Sequence, residues 1–352
     1  MAEVVLADDF TGAAEIAGIA WRSGRSVDLC YRVPNQLVSE VTVIDTNSRL
    51  LPELGAAAKV KSICQSVQAL RPDRVFKKID SVLRGPVELE IEAALSGLKL
   101  ENALVLSANP SKGRTIEEGV YLIDGVPLNE TDFSKDPIHP ARTCLVRERL
   151  GEAKNIELPD AATVEDVRSI AQGMGAGTLA VGGADFYSAW SGAEELRTAV
   201  PDPEGGRLWI CGSQAIREDR EQLFKQFGIP VVLYESGPAE EWVAAVKEDI
   251  SLSPRIAMEI ARSTELGPAD LISILADAGA SLIHAADFAM VMIEGGATAT
   301  AIMERLNWDR FTVSRELAPG VVALLPAEVE GVPEIVVKPG SYPWPDSLFE
   351  VS

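Results

Sequence analysis

The sequence predicts an α/β protein made of two dissimilar α/β domains, with mainly parallel sheets facing each other across a cleft. Three observations predict it. Short β-branched apolar runs alternate with longer helical patterns from one end to the other. Several of those runs stop at polar residues, as parallel strands do where they reach a ligand crevice. Pro201-Asp202-Pro203-Glu204-Gly205-Gly206 then interrupts the alternation with the best linker in the chain, dividing it into domains 1–203 and 204–352. With 352 residues, 47% hydrophobic and 24% charged, the chain can bury one large core or two smaller ones, which excludes a disordered or fibrous protein.

Glu3-Val4-Val5-Leu6-Ala7 predicts a buried strand, and Thr11 to Arg22, with Ala13, Ala14, Ile16, Ala17 and Ala20, predicts the helix after it, which Gly24 can end. Val41 to Ile44 before Asp45 and Val75-Phe76 before Lys77 predict two further strands, with Leu54 to Leu70 a helix between them. Ala103 to Leu106 repeats the strand pattern. Residues 116–145 carry Gly119, Gly125, Pro127, Pro137 and Pro140, so loops and a hairpin are expected there, the material of a lid. The alternation resumes with a strand at Leu179 to Val181 and a helix through Leu196. Past the linker come a strand at Leu208 to Cys211, a helix from Ala215 to Phe227, a strand at Val231 to Tyr234, two helical segments reaching Ala278 and a strand at Ala289 to Ile293. Strands at Phe311 to Val313, Val321 to Leu325 and Ile335 to Val337 complete the pattern.

Charge narrows the partners. Thirty-two Lys and Arg against 53 Asp and Glu give a net charge of -21, so neither nucleic acid nor a membrane surface is expected as a partner. An anionic ligand must be captured by a local basic pocket against that field. Cys30, Cys64, Cys144 and Cys211 are far apart, and His139 and His284 are the only histidines, both read as structural, so no protein-held metal is expected. The start MAEVVLADDF has no basic leader, no apolar run is long enough to span a bilayer, and a reducing cytoplasm is the predicted location.

Four strand ends carry the candidate chemistry. Asp8 and Asp9 follow the first strand. One can orient a hydroxyl while the other accepts its proton, or one can simply cap the helix that starts at Thr11. Lys77-Lys78-Ile79-Asp80-Ser81, with Arg84, follows a second strand, and Arg49 and Lys112-Gly113-Arg114-Thr115 follow two more. Ammonium and guanidinium groups beside small hydroxyls suit an anionic, hydroxylated small ligand. In the second half Glu294-Gly295-Gly296-Ala297-Thr298 lies between a strand and a helix, where backbone N–H groups can hold phosphate oxygens. It matches neither the Walker nor the dinucleotide fingerprint. Gly212-Ser213 and Lys338-Pro339-Gly340 are further turns of the same kind, each saying little alone.

LADDFTGAAEIAG, KKIDSVLRG, GRTIEEG with GVPLNET, GGATA and ELAPGV, in this order and spanning nearly the whole chain, resemble the serial motifs of the four-carbon acid sugar kinase family. The resemblance implies a phosphotransferase that uses ATP to phosphorylate the terminal hydroxyl of threonate, erythronate or 3-oxo-tetronate, with an N-terminal substrate domain and a C-terminal nucleotide domain. It implies that Asp8, Arg49, Lys78, Ile79, Asp80 and Ser81 contact the acid with Arg84 and Arg114 close by, and that Ser213, Gly295, Gly296, Ala297, Thr298 and Gly340 hold ATP. Mg²⁺ would arrive bound to the nucleotide. Asp9 is then the expected catalytic base. Where the family reads Gly-Gly-Asp-Thr or Gly-Gly-Glu-Thr this chain has Ala297, and Gln214-Ala215 and Pro339 depart from the family's serine- and glycine-bearing stretches. Those departures frame the alternative of a sugar-acid-binding or regulatory protein with weakened nucleotide use. A homodimer is the commonest form such a chain takes when it assembles.

Overall fold

The computed structural model describes residues 1–136, 138–151, 155–197, 200–213, 216–250, 253–262, 264–285 and 287–350, and the chain divides into two compact units, Met1–Leu196 and Arg197–Ser352. The first unit opens with β1 (Glu3–Ala7), α1 (Phe10–Arg22), β2 (Val27–Cys30), β3 (Val41–Asp45), α2 (Glu53–Leu70), β4 (Arg74–Lys78), α3 (Val87–Leu98) and β5 (Asn102–Leu106). A small antiparallel sheet of β6 (Arg114–Glu117), β7 (Val120–Ile123) and β8 (Val126–Pro127) follows, and then α4 (Val146–Leu150), β9 (Ile156–Glu157), α5 (Val164–Gly173), β10 (Thr178–Gly182) and α6 (Ala184–Ser191).

The main sheet of this unit runs β2-β3-β1-β4-β10-β5-β9, every neighbouring pair parallel. Its strands are buried on both faces, which is why they read as unbroken apolar runs. The chain turns to one side of β1 to make β2 and β3 and to the other to make β4. The switch in direction therefore falls between β1 and β4, where such sheets bind ligands. Register puts the strand ends level: Ala7 pairs with Asp45 on one side and with Lys78 on the other.

The second unit contains β11 (Gly206–Cys211), α7 (Arg217–Gln226), β12 (Val231–Tyr234), α8 (Ala239–Ile250), β13 (Arg255–Ile260), α9 (Pro268–Ala285), β14 (Phe288–Glu294), α10 (Gly296–Leu306), β15 (Arg310–Ala318), β16 (Val321–Pro326) and β17 (Glu334–Lys338). Its strands run β12-β13-β11-β14-β17-β16-β15, parallel as far as β17 and antiparallel beyond. The direction switches here between β11 and β14, and Cys211, Glu294 and Lys338 stand level. Trp209, Phe224 and Phe349 fill the core, with Trp209 and Phe349 stacked at 5.7 Å.

Most expected elements are present within a residue or two, and the rest are corrected as follows. Val27–Cys30, Val87–Leu98, Val146–Leu150, Ile156–Glu157 and Val164–Gly173 are elements where none was expected. Strand Arg255–Ile260 lies inside the stretch read as helical, and α9 continues seven residues past Ala278. The helix expected to reach Leu196 ends at Ser191, because Gly192 takes the left-handed C-cap. The expected start of α7 at Ala215 lies outside the described residues. Among the described residues no helix is long and apolar enough to cross a membrane.

Candidate functional site

Arg49 organises the switch point of the first unit. Its Nε and one terminal nitrogen bond both oxygens of Asp8, at 2.7 and 2.9 Å, and its terminal nitrogens bond both oxygens of Asp9, at 2.7 and 2.8 Å. Asp80 lies 3.8 Å away. The loop after β3 is drawn in to make this possible: Thr46 donates its N–H and hydroxyl to the Ala7 carbonyl, and Ser48 and Arg49 donate their N–H groups to the Asp8 carbonyl. Gly85 closes the approach from the other side. It has φ 88, and a Cβ there would come within 3.2 Å of Arg49.

Of the two readings of the paired aspartates, capping holds at Asp9. Asp9 is the N-cap of α1, its Oδ1 accepting the Gly12 N–H at 2.9 Å and its Oδ2 the Thr11 hydroxyl at 2.7 Å. Asp8 is almost wholly buried, while the Asp9 side chain keeps 23% of its surface exposed. Burial alone would raise the pKa of Asp8, but Arg49, with Lys77 and Lys78 behind it, holds the carboxyl below its ordinary range.

The loop after β4 supplies the second wall. The Asp80 carboxylate accepts the N–H groups of Val82 and Arg84 and the Arg84 guanidinium, at 2.8 Å for the shortest contact. Against the effect of burial, Arg49 and Arg84 keep it ionised far below the usual carboxylate range. Leu83 is held at φ 61, a left-handed conformation that a branched residue adopts only under surrounding constraint. Arg149 from α4 bonds its carbonyl at 2.9 Å. Ser81 accepts a short hydrogen bond from Arg114, the first residue of β6. Phe133 lies 5.9 Å from the guanidinium carbons of both Arg84 and Arg114, and Asp136 is 3.6 Å from Arg84. The irregular stretch 116–145 thus folds against this loop.

Alternation along β4 separates its two lysines. Lys78 reaches α1, where its Nζ stands 3.5 Å from Glu15, a residue that also pairs with Lys112 at 2.6 Å. Lys77 points to the opposite face and is buried against Glu90 of α3 at 2.7 Å, so it braces the sheet and does not join the rim with Lys78 and Arg84. Ile79 is fully buried, its N–H on the Gly182 carbonyl and its own carbonyl on Lys78 Nζ. Arg114 is the rim cation with no carboxylate partner among the described residues. Sequence reasoning missed Glu15, Phe133 and Asp136. Glu15 had a signal, being the only charge between Asp9 and Arg22 in an otherwise apolar helix. The others lie on irregular chain with no periodic pattern to place them.

In the second unit the weak glycine turns converge. A Cβ on Gly212 would come within 2.6 Å of the Thr298 hydroxyl, and one on Gly340 within 2.7 Å of the Ser213 hydroxyl. Gly295, at φ 94, is the N-cap of α10 and provides no side-chain cap, so the first N–H groups of this 11-residue helix are left for another acceptor. Thr298 is buried and Ala297 exposed. Beneath them Glu294 is fully buried between Lys338, at 2.5 Å, and Arg220, which also bonds Glu259. Gln214 and Ala215 lie outside the described residues. Among the described residues no group of three or more His, Cys, Asp or Glu side chains is arranged to hold a metal ion.

The sugar-binding N-terminal domain family matches residues 3–183, just over half of the chain and the part that carries the Arg49 cluster. The chain belongs to this family. Its relatives bear the names of four-carbon acid sugar kinases. A D-threonate kinase of Bordetella bronchiseptica is 26% identical, covering 99% of this chain and 96% of the relative. A D-erythronate kinase of Heliobacterium modesticaldum is 28% identical over 60% of this chain and 57% of its own. A 3-oxo-tetronate kinase of Brucella melitensis is 23% identical over 90% and 88%. Among solved structures, a Haemophilus influenzae protein superposes with a TM-score of 0.75 at 19% identity over 98% of both chains. A Bordetella bronchiseptica domain of unknown function, a domain-swapped dimer with bound citrate, gives 0.50 at 25% identity over 99% and 96%.

Proposed function

We propose that the chain is an ATP-dependent kinase that phosphorylates the terminal hydroxyl of a four-carbon sugar acid, of the threonate, erythronate or 3-oxo-tetronate kind. The observation that carries the reading is the Arg49-centred carboxylate cluster at the switch point of a unit that belongs to a sugar-binding family. Arg114, without a carboxylate partner among the described residues and bonded to Ser81, is the natural holder of the acid's carboxylate. Lys78, Asp80 and Arg84 form the surrounding wall, with Ile79 contributing backbone alone. The citrate in the Bordetella bronchiseptica structure supports a carboxylate ligand for this fold. Asp9, the more exposed of the paired aspartates, takes the hydroxyl proton once the acid draws Arg49 part of the way off it, and Asp8 keeps Arg49 in place.

The second unit fits a nucleotide. ATP supplies the transferred phosphoryl group, with Mg²⁺ on its phosphates. Ser213, Thr298, Gly340 and the uncapped N–H groups of Gly296 and Ala297 at the start of α10 would hold it, the glycines leaving room that a Cβ would fill. The proposed division of labour is acid binding in 1–203 and nucleotide binding in 204–352, and the proposed assembly is a homodimer, as in the Bordetella bronchiseptica relative.

Ala297, without a carboxylate, and Pro339, without an N–H, support the second reading, a sugar-acid-binding protein that has lost phosphoryl transfer. Thermal shifts separate the two. On the kinase reading ATP with Mg²⁺ and D-threonate each raise the melting temperature. A shift with the acid and none with the nucleotide would transfer support to the second reading.

A further inference from the structure

The turn that carries Arg49 is rooted in a carboxyl that the site as described does not use. Asp45 ends β3 with 2% of its surface exposed. Its Oδ1 accepts the Asn47 N–H at 2.8 Å, which holds Asn47 at φ 42. Its Oδ2 is buried and has no hydrogen-bond partner among the described residues. From this root the turn lays Thr46 on the Ala7 carbonyl and Ser48 and Arg49 on the Asp8 carbonyl.

The charges acting on Asp45 come from two sides. Asp9 and Asp8, at the β1–α1 junction, repel a further negative charge, and Lys59 of α2, whose Nζ lies 3.3 Å from the Asn47 carbonyl, attracts it without pairing to it. Arg49, in the same turn, is committed to Asp8 and Asp9. An ionised carboxylate buried without a paired cation is costly, whereas the neutral acid keeps the Asn47 contact and carries no charge.

We propose that Asp45 is a positioning residue of the acid-binding site and works as the neutral carboxylic acid, holding the Arg49 turn while adding no negative charge where an anionic substrate must bind. As far as the anion is concerned, this rests on the sugar-acid reading above. Burial, reinforced by Asp9 and Asp8 and opposed by the Asn47 N–H, pushes the Asp45 carboxyl up to about 7 from its ordinary 3.8. The stabilisation from holding the proton is therefore complete below pH 3.8, declines as the unfolded chain ionises first, and is gone above pH 7.

Asp45→Asn copies the neutral acid in shape and keeps an oxygen for the Asn47 N–H, and Asp45→Ala removes both. Melting temperatures of the full chain between pH 4 and 8.5, without ligand, test the protonation. The gap between Asp45→Asn and wild type is expected to open in favour of the variant from pH 4 to 7 and then stay constant, with Asp45→Ala less stable than Asp45→Asn throughout. An Asp45→Asn protein less stable than wild type at pH 8 would overturn the proposal. Calorimetric titration with D-threonate tests the role. Wild-type affinity is expected to fall by up to about tenfold per pH unit above 7 and that of Asp45→Asn to stay level. Equal pH dependence in the two contradicts the role, and if neither protein binds the acid at any pH the sugar-acid reading fails while the melting profiles still judge the proton.

Discussion

At the scale of single residues, the site depends on one guanidinium serving two carboxylates. Arg49 engages all four oxygens of Asp8 and Asp9, a geometry that a lysine, with one compact ammonium group, has no fork to reproduce. Arg49→Lys is therefore expected to weaken acid binding by at least tenfold and to lower stability. Complete removal in Arg49→Ala leaves buried Asp8 uncompensated at a cost of about 3–5 kcal/mol, measurable by urea unfolding. Both Asp8 and Asp80 are held below their ordinary value of 3.8, against burial, chiefly by Arg49. Their contribution to stability is thus present in full above that value and is lost as pH falls below it. Unfolding midpoints taken from pH 7 down to 2 should drop steeply below pH 4 in the wild type. The drop should be shallower in Arg49→Ala, where Arg84, Lys77 and Lys78 are left to sustain a smaller depression. Parallel curves would show that Arg49 does not set these acidities.

Elements place these residues. In each unit the chain direction switches once and the strand ends stand level: Ala7, Asp45 and Lys78 in the first unit, Cys211, Glu294 and Lys338 in the second. This much was legible in the sequence, because the polar residues follow directly on apolar runs that are buried on both faces. Contact between Arg49 and both aspartates was not legible, since it depends on the bent turn at 46–48. Arg255–Ile260 was hidden because Ala257, Met258 and Glu259 are good helix formers and only burial between β11 and β12 makes them a strand. That the glycine turns lie together became visible only through packing, with Gly340 against Ser213 and Gly212 against Thr298. Gly340→Ala, whose methyl would meet the Ser213 hydroxyl within 2.7 Å, is accordingly expected to weaken ATP binding by about tenfold or more with little change in D-threonate binding. Equal effects on both ligands, followed by calorimetry, would detach Gly340 from the nucleotide.

For the whole molecule, net charge of -21 repels the anions a sugar-acid kinase must bind. In the rim Arg49, Lys78, Arg84 and Lys112 are individually offset by carboxylates, while Arg114 has no carboxylate partner among the described residues and, on the proposed reading, is the one that takes the ligand. On the proposed reading, acid phosphorylation takes place at this cluster with Asp9 accepting the hydroxyl proton. The most direct test is ADP release with ATP, Mg²⁺ and a panel of D-threonate, D-erythronate and 3-oxo-tetronate, run side by side for wild type and Asp9→Asn, a variant that still caps α1 and so should fold as wild type does. Turnover on at least one acid, with kcat lower by about 10²–10⁴ in Asp9→Asn and KM changed far less, is the result predicted. Wild-type silence across acids that nevertheless bind, or turnover unaffected by the loss of Asp9, would contradict it.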